Sequence, residues 1–154
     1  MKTLILGIGN ILLSDEGVGI HLLRDMEKNY NLPHVTWLDG GTLSFTLAPE
    51  IENHEALLVL DAAQLNAPPG SLRRYVGAEM DRFLNTHQRG VHEVGLMDVL
   101  TIVTLTERLP RYRALIGIQA ENLTWGEELS PAVAAALPAA SALVMQTLTE
   151  WETL

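Results

Sequence analysis

The opening of the chain constrains its fold most strongly, because an apolar run leads directly into two glycines and then into an amphipathic segment. Residues 4–6, Leu-Ile-Leu, predict a buried parallel strand, and Gly7 and Gly9 predict a tight turn after it. Residues 15–29 carry Val, Leu and Met at helical spacing, which predicts a helix. The chain therefore begins as the strand, turn and helix of an α/β fold.

The glycine turn resembles a dinucleotide-binding fingerprint but does not complete it. The third glycine of G-x-G-x-x-G would fall at position 12, where the chain has Leu12, and no lysine follows to make a P-loop. Asp15 and Glu16 instead stand where the next helix should begin, and their charges occupy the positive helix end that a phosphate needs. This pattern predicts a site that attracts a cation.

Composition narrows the class of protein further. Hydrophobic residues make up 47% and aromatic residues 5% of the 154 residues, which predicts an aliphatic core in one domain. Ten basic against 19 acidic residues give a net charge of −9, which argues against nucleic acid or an anionic membrane as partner. With no cysteine, any metal must take oxygen and nitrogen ligands. No leader or apolar run of roughly 20 residues is evident, so we expect a cytoplasmic protein.

Strand and helix patterns alternate along the chain, which favours βαβ units. We therefore expect a single α/β domain over residues 1–154, with a mostly parallel twisted sheet of about five strands and helices on both faces. Strands are predicted at 4–6, 35–38, 56–60, 71–76 and 114–118, the fourth as an edge strand, and helices at 15–29, 43–52, 94–105 and from 130–131 to 151. Pro49 leaves the end of the 43–52 helix open, Pro138 should bend the last helix or delay its start, and the Ser130 hydroxyl should cap it.

Three polar residues fall where the carboxyl ends of the predicted strands meet, which is where open α/β sheets bind ligands. Glu16 follows the first strand, Asp61 closes the third, and His92 lies at a loop-to-helix junction. Two carboxylates and an imidazole suit a borderline divalent metal such as zinc or nickel. His87 competes with His92 as the nitrogen ligand.

Each of these residues also has an ordinary explanation. Glu16 could complement a helix dipole, Asp61 could cap a helix or sit in a turn, and His92 could be a capping or surface histidine. Asp39 opens an Asp-Gly-Gly-Thr stretch that reads as a tight turn at the same sheet edge. The remaining histidines, His21, His34 and His54, are expected at the solvated surface. Neither a G-x-S-x-G nucleophile elbow nor an H-E-x-x-H zinc helix is present.

Several segments, in order along nearly the whole chain, resemble the hydrogenase maturation endopeptidases, which trim the large subunit of nickel–iron hydrogenases. The most specific is the acidic block after G-x-G-N. The matching segments are GIGNILLSDEGVG at 7–19, LDGGT at 38–42, LVLDA at 58–62, HEVGLMDVL at 92–100, GIQ at 117–119, ENLTWG at 121–126 and LSPAV at 129–133.

The resemblance implies roles for four residues. Glu16, Asp61 and His92 correspond to the metal-contacting residues of the family, and Asp39 to a supporting acidic position. The metal is nickel already placed in the substrate, with no organic cofactor, and cleavage removes a C-terminal extension from the large-subunit precursor. A non-catalytic nickel-sensing chaperone of the immature subunit would use the same ligands and is the alternative. We expect a monomer, because no continuous apolar surface stripe is evident.

Overall fold

Five strands form one sheet in the computed structural model, which describes residues 1–41, 47–86, 100–101 and 103–154. The strands are β1 (Thr3–Ile8), β2 (Val35–Gly41), β3 (Ala56–Ala63), β4 (Leu72–Val76) and β5 (Tyr112–Gln119). Their order is β2-β1-β3-β5-β4, with β4 antiparallel at one edge and the other pairings parallel. The predicted five-stranded, mostly parallel sheet with β4 at its edge is confirmed.

Helices cover both faces of this sheet, as predicted. They are α1 (Val18–Asn29), α2 (Ala48–Glu52), α3 (Ala78–Thr86) and α4 (Pro131–Glu152), and the 3-10 turn Ser14–Gly17 precedes α1. Side chains of successive strand residues point to opposite faces. Leu4 and Leu6 therefore pack in the layer with α2 and α3, while Ile5 packs in the layer with α1 and α4. All three are fully buried.

The strand order creates a switch point between β1 and β3. From β1 the chain passes through α1 to β2 on one side, and then through α2 to β3 on the other side of β1. The two connecting helices lie on opposite faces of the sheet. Connections that leave in opposite directions open a crevice at the carboxyl ends of the two strands, and such crevices bind ligands in open α/β folds.

Several predicted boundaries need correction. Strand β3 runs on to Ala63, so Asp61 lies inside the strand and is neither a turn residue nor a helix cap. Pro49 lies in the first turn of α2 and does not end it, because a proline costs no hydrogen bond where the backbone N–H has no helical partner. Residues 42–46, within the predicted 43–52 helix, lie outside the described residues. Residues 87–99, which include the first part of the predicted 94–105 helix, also lie outside the described residues. Residues 100–101 and 103–105 of that predicted helix are helical.

Helix α4 begins at Pro131 as predicted and continues past Pro138. Its start is not delayed, because the carbonyl that Pro138 leaves without a helical donor belongs to Ala134, an exposed residue that water can reach. Within the described part of the chain, α4 is the helix that is long and apolar enough to cross a membrane. Its buried side, which includes Val144 and Trp151, packs in the layer with α1 against the sheet.

Candidate active site

Glycines in the first loop allow the chain to fold back tightly over the ends of β1 and β3. A Cβ atom on Gly19 would lie 2.2 Å from the carbonyl oxygen of Leu60, so α1 can begin this close to the sheet only with glycine there. Gly9 has a φ of 136°, and a Cβ atom on it would lie 2.1 Å from the carbonyl oxygen of Glu16. These close approaches hold the 3-10 turn Ser14–Gly17, which carries Glu16, against β3.

Asp61 reaches the same edge of the sheet from β3. It follows Leu60 directly, lies opposite Gly117 of β5, and is only 4% exposed. Since side chains alternate along a strand, Asp61 belongs to the face of the sheet that Val59 occupies. Glu16 is half-buried on the turn that packs against this strand. The fold thus brings Glu16 and Asp61 to the crevice between β1 and β3.

Two carboxylates at one crevice concentrate negative potential there. Negative potential of this kind favours a bound cation. Within the ranges that the structure describes, no three His, Cys, Asp or Glu side chains are grouped closely enough to hold a metal ion. The expected third ligand, His92, and its competitor His87 both lie outside those ranges, so the convergence of Glu16, Asp61 and His92 stays a prediction.

Asp39 lies on β2, and two contacts hold its carboxylate in place. Its Oδ2 atom pairs with the Arg24 guanidinium of α1 at 3.1 Å, and its Oδ1 atom accepts the backbone N–H of Gly41 at 2.9 Å. Because β2 runs through Gly41, the predicted tight turn does not begin at Asp39, although Gly41 has a φ of 48°, and Thr42 at the end of the predicted turn lies outside the described residues. Asp39 also lines a cavity of about 370 Å³ beside the loop after β1, together with Asn10 and Leu12.

Asp15 does not belong to the predicted cation site. It is fully buried, and its Oδ2 atom accepts the backbone N–H groups of Glu121 and Asn122, each at 2.9 Å. Both carboxylate oxygens also accept hydrogen bonds from Ser130. Burial alone would raise the pKa of Asp15, but these donors outweigh it and hold the pKa below its ordinary value. The carboxylate is an internal anchor, which corrects the expectation that it attracts a cation beside Glu16.

The Ser130 hydroxyl takes part in this anchor and not in a helix cap. It donates to Asp15 Oδ2 at 2.8 Å, while the Ser130 backbone N–H donates to Asp15 Oδ1 at 2.8 Å. No side-chain hydrogen bond caps α4, although Ser130 still occupies the N-cap position and its carbonyl accepts the N–H of Ala134. A buried carboxylate is a stronger acceptor for the hydroxyl than a hydroxyl is for a helix N–H, which explains why the predicted cap does not form.

Like Asp15, Gln119 connects separate segments at this edge of the sheet. Sequence analysis gave it no role of its own. Its Oε1 atom accepts the backbone N–H of Leu65 at 2.6 Å, and its Nε2 group donates to Gln64 Oε1 at 2.7 Å. The side chain therefore ties the end of β5 to the loop that follows Asp61 and β3. A polar residue directly after the apolar buried run 114–118 was the available signal.

Two of the three histidines outside the expected site are less exposed than predicted. His54 is buried, and its ring nitrogens contact the Glu50 carbonyl at 2.6 Å and the Thr36 hydroxyl at 3.1 Å, so the surface assignment is wrong for this residue. His21 is half-buried on α1, and burial together with the nearby Arg24 charge lowers its pKa. His34 is exposed, as expected.

Comparison with known protein families gives one consistent result. A family model described as "Hydrogenase maturation protease" matches residues 20–147. The hydrogenase expression/formation protein HupD of Bradyrhizobium diazoefficiens is 36% identical over 152 residues, which span 97% of this chain and 79% of that protein. The hydrogenase 2 maturation protease of Escherichia coli is 35% identical over 153 residues, spanning 97% and 92% of the two chains.

Solved structures agree with the sequence matches. The hydrogenase maturating endopeptidase HybD from E. coli superposes with a TM-score of 0.92 at 34% identity, covering 97% of this chain and 93% of that one. The [NiFe] hydrogenase maturation protease HybD from Thermococcus kodakarensis gives a TM-score of 0.80 at 33% identity, covering 95% and 98%. The similarity therefore extends over the whole sheet and both helical layers.

Proposed function

Since the chain belongs to the hydrogenase maturation protease family and is thus a hydrolase of peptide bonds in hydrogenase processing, we propose that it cuts the C-terminal extension from a nickel-loaded large-subunit precursor. The observation that carries this proposal is the position of Glu16 and Asp61. Both acidic residues lie at the crevice between β1 and β3, on a fold that matches an endopeptidase along nearly its full length.

The residue types of the predicted site suit nickel that arrives with the substrate. Glu16 and Asp61 offer carboxylate oxygens, and His92 offers an imidazole nitrogen, a mixed set that borderline metals such as nickel accept. Nickel bound in the precursor would be drawn to the negative crevice and complete its coordination there. The chain needs no organic cofactor for this step. A precursor without nickel lacks the contact that fixes its position, so cleavage waits for metal insertion.

Docking through nickel places the scissile peptide beside the two carboxylates. The attacking water is activated either by the nickel ion or by one carboxylate acting as general base. The water oxygen bonds to the peptide carbonyl carbon as a carboxylate takes its proton, the C–N bond then breaks, and the carboxyl group passes that proton to the departing amine. In this proposal Asp39 has a supporting role. Its carboxylate accepts the Gly41 backbone N–H and lines the cavity beside the loop after β1. A cytoplasmic location and a monomeric state remain predictions.

Mass spectrometry tests the proposal directly. The purified protein is incubated with the large-subunit precursor of a nickel–iron hydrogenase from the same organism, once nickel-loaded and once nickel-free. We expect the protein to release a C-terminal peptide from the nickel-loaded precursor and none from the nickel-free precursor. Binding without any loss of mass would support the nickel-sensing chaperone instead. Equal cleavage of both forms would contradict the role of nickel.

A further inference from the structure

Three large apolar side chains lie exposed on two neighbouring loops near the crevice. Leu12 is 46%, Leu123 is 54% and Trp125 is 79% exposed. Leu12 belongs to the loop after β1, and the other two belong to the loop between β5 and α4. We call these three residues the apolar ledge. Exposed apolar residues scattered singly are normal, but a group that includes a largely exposed tryptophan is typical of a binding surface.

Hydrogen bonds hold the two loops of the ledge together. The Gly126 backbone N–H donates to the Leu12 carbonyl at 2.9 Å, and the Ser14 N–H donates to the Gly126 carbonyl at 2.8 Å. The Ser14 hydroxyl donates to the carbonyl of Thr124 at 2.8 Å. The backbone on both sides of Trp125 is thus fixed before any partner arrives. Such preorganisation lowers the entropic cost of binding.

Acidic side chains lie beside Trp125 of the ledge. Glu121, Glu127 and Glu128 are exposed, and together with Trp125 they line an open depression of about 620 Å³. Residues 114–154 contain no lysine or arginine, so neither this loop nor α4 carries a basic side chain that could neutralise the glutamates. A surface of this kind is complementary to a partner with an apolar patch ringed by basic residues.

The ledge is also continuous with the candidate active site. Ser14 bonds to the loop that carries Leu123 and Trp125, and it begins the same 3-10 turn as Glu16. A folded substrate whose cleavage site reaches Glu16 would therefore cover the ledge as well. No second protein is needed to explain the surface.

We propose that the apolar ledge is the docking surface for the large-subunit precursor, which it binds through an apolar patch bordered by lysine and arginine side chains. This inference rests on the proposed function, because it takes the same precursor as its occupant. The ledge contributes affinity and orientation and takes no part in bond breaking. The ledge explains how a folded precursor is recognised, because a small crevice around one metal ion offers too little contact area for that.

The test compares Trp125→Ala and Leu123→Ala with Leu154→Ala. Leu154 is a matched control, because it is 79% exposed like Trp125 but follows the far end of α4. Binding to the nickel-loaded precursor is measured by titration calorimetry, and KM and kcat by mass spectrometry of the cleaved product. We expect Trp125→Ala to raise Kd and KM about tenfold or more, with kcat nearly unchanged. Leu154→Ala should change neither value.

A fluorine label gives a readout that does not depend on activity. The protein contains three tryptophans, and with 5-fluorotryptophan its Trp125 signal, assigned through the Trp125→Ala variant, should shift or broaden when the precursor binds. Unfolding midpoints equal to that of the wild type establish that each variant is folded. If the wild type binds and cuts the precursor while Trp125→Ala does so equally well, the docking surface is overturned and the proposed function stands. If the wild type neither binds nor cuts it, the proposed function itself fails.

Discussion

The carboxylate of Asp15 accepts two hydrogen bonds from Ser130, a residue 115 positions further along the chain, each at 2.8 Å. This contact joins the first turn after β1 to the start of α4. Since Glu16 is the next residue in the chain, the same contact fixes the backbone that carries a candidate catalytic carboxylate. The acidic pair in the opening motif thus divides into an internal anchor and a residue at the crevice.

Replacing Asp15 by asparagine should lower the free energy of unfolding by about 2 kcal/mol at neutral pH, because buried hydrogen bonds to a charged group are lost. The folded pKa of Asp15 lies below the ordinary value of 3.8, so its stabilising charge is fully present above that value and is lost as the pH falls below it. The difference between wild type and Asp15→Asn should therefore shrink in acid. Urea unfolding at neutral pH and at about pH 3 measures both effects.

Glu27→Gln provides the control for this experiment, because Glu27 is an exposed carboxylate on α1. It should alter stability by less than about 0.5 kcal/mol. A difference between Asp15→Asn and wild type that stays constant from neutral pH into acid would argue against an ionised anchor.

Replacing Gly19 by alanine should destabilise the protein by about 3 kcal/mol, because the added methyl group would lie 2.2 Å from the Leu60 carbonyl oxygen and force α1 away from the sheet. Gly77→Ala is the comparison, since a Cβ atom there meets nothing within 4 Å but the φ of 57° carries a backbone cost of about 1 kcal/mol. Thermal unfolding of the two variants measures which substitution lowers the stability more. Equal losses in the two variants would contradict a steric cost at Gly19 larger than the backbone cost at Gly77.

Asp39→Asn should lower kcat/KM for precursor cleavage about tenfold while changing stability by less than about 1 kcal/mol, because a surface ion pair contributes little to folding and small displacements at a site are costly. Arg24→Ala removes the same ion pair but keeps the carboxylate that orders Gly41. It should retain most of the activity. Equal activity losses in the two variants would assign the effect to the ion pair and not to Asp39 itself.

His21 should make the protein less stable in mild acid. Burial and the Arg24 charge lower its folded pKa below the ordinary 6.5, so the unfolded chain binds a proton more readily. Stability is then full above about pH 6.5 and falls as the pH drops toward the folded value. His21→Gln should flatten this dependence in urea unfolding from pH 7.5 to about pH 5. An unchanged slope in His21→Gln would contradict this assignment.

Sequence patterns were sufficient to predict the strands, because continuous apolar runs such as residues 4–6 and 56–60 are typical of buried parallel strands. They also placed β4 at the edge, where its charged residues remain accessible. The patterns were insufficient at element ends. Asp61 looked like a residue after β3 because it is charged, yet the sheet pairing with Gly117 extends beyond it.

Local sequence patterns also could not predict polar contacts between residues far apart in the chain. Nothing near Asp15 indicates that its partners lie at 121, 122 and 130, and a buried carboxylate with several donors looks in sequence like an exposed acidic residue. The same applies to His54, whose partners at 36 and 50 come from β2 and α2. Strand order alone predicts that Glu16 and Asp61 share one edge of the sheet, since the carboxyl ends of parallel strands meet there, and their joint action stays a prediction.

The central claim is that Glu16, Asp61 and His92 act together on a precursor that carries nickel. Cleavage of nickel-loaded precursor is followed by mass spectrometry with wild type, Glu16→Gln, Asp61→Asn, His92→Ala and the control Glu27→Gln, each shown to be folded. The account predicts wild-type rates for Glu27→Gln and losses of about a hundredfold or more for each of the other three. Unimpaired release of the C-terminal peptide by those three variants would contradict it.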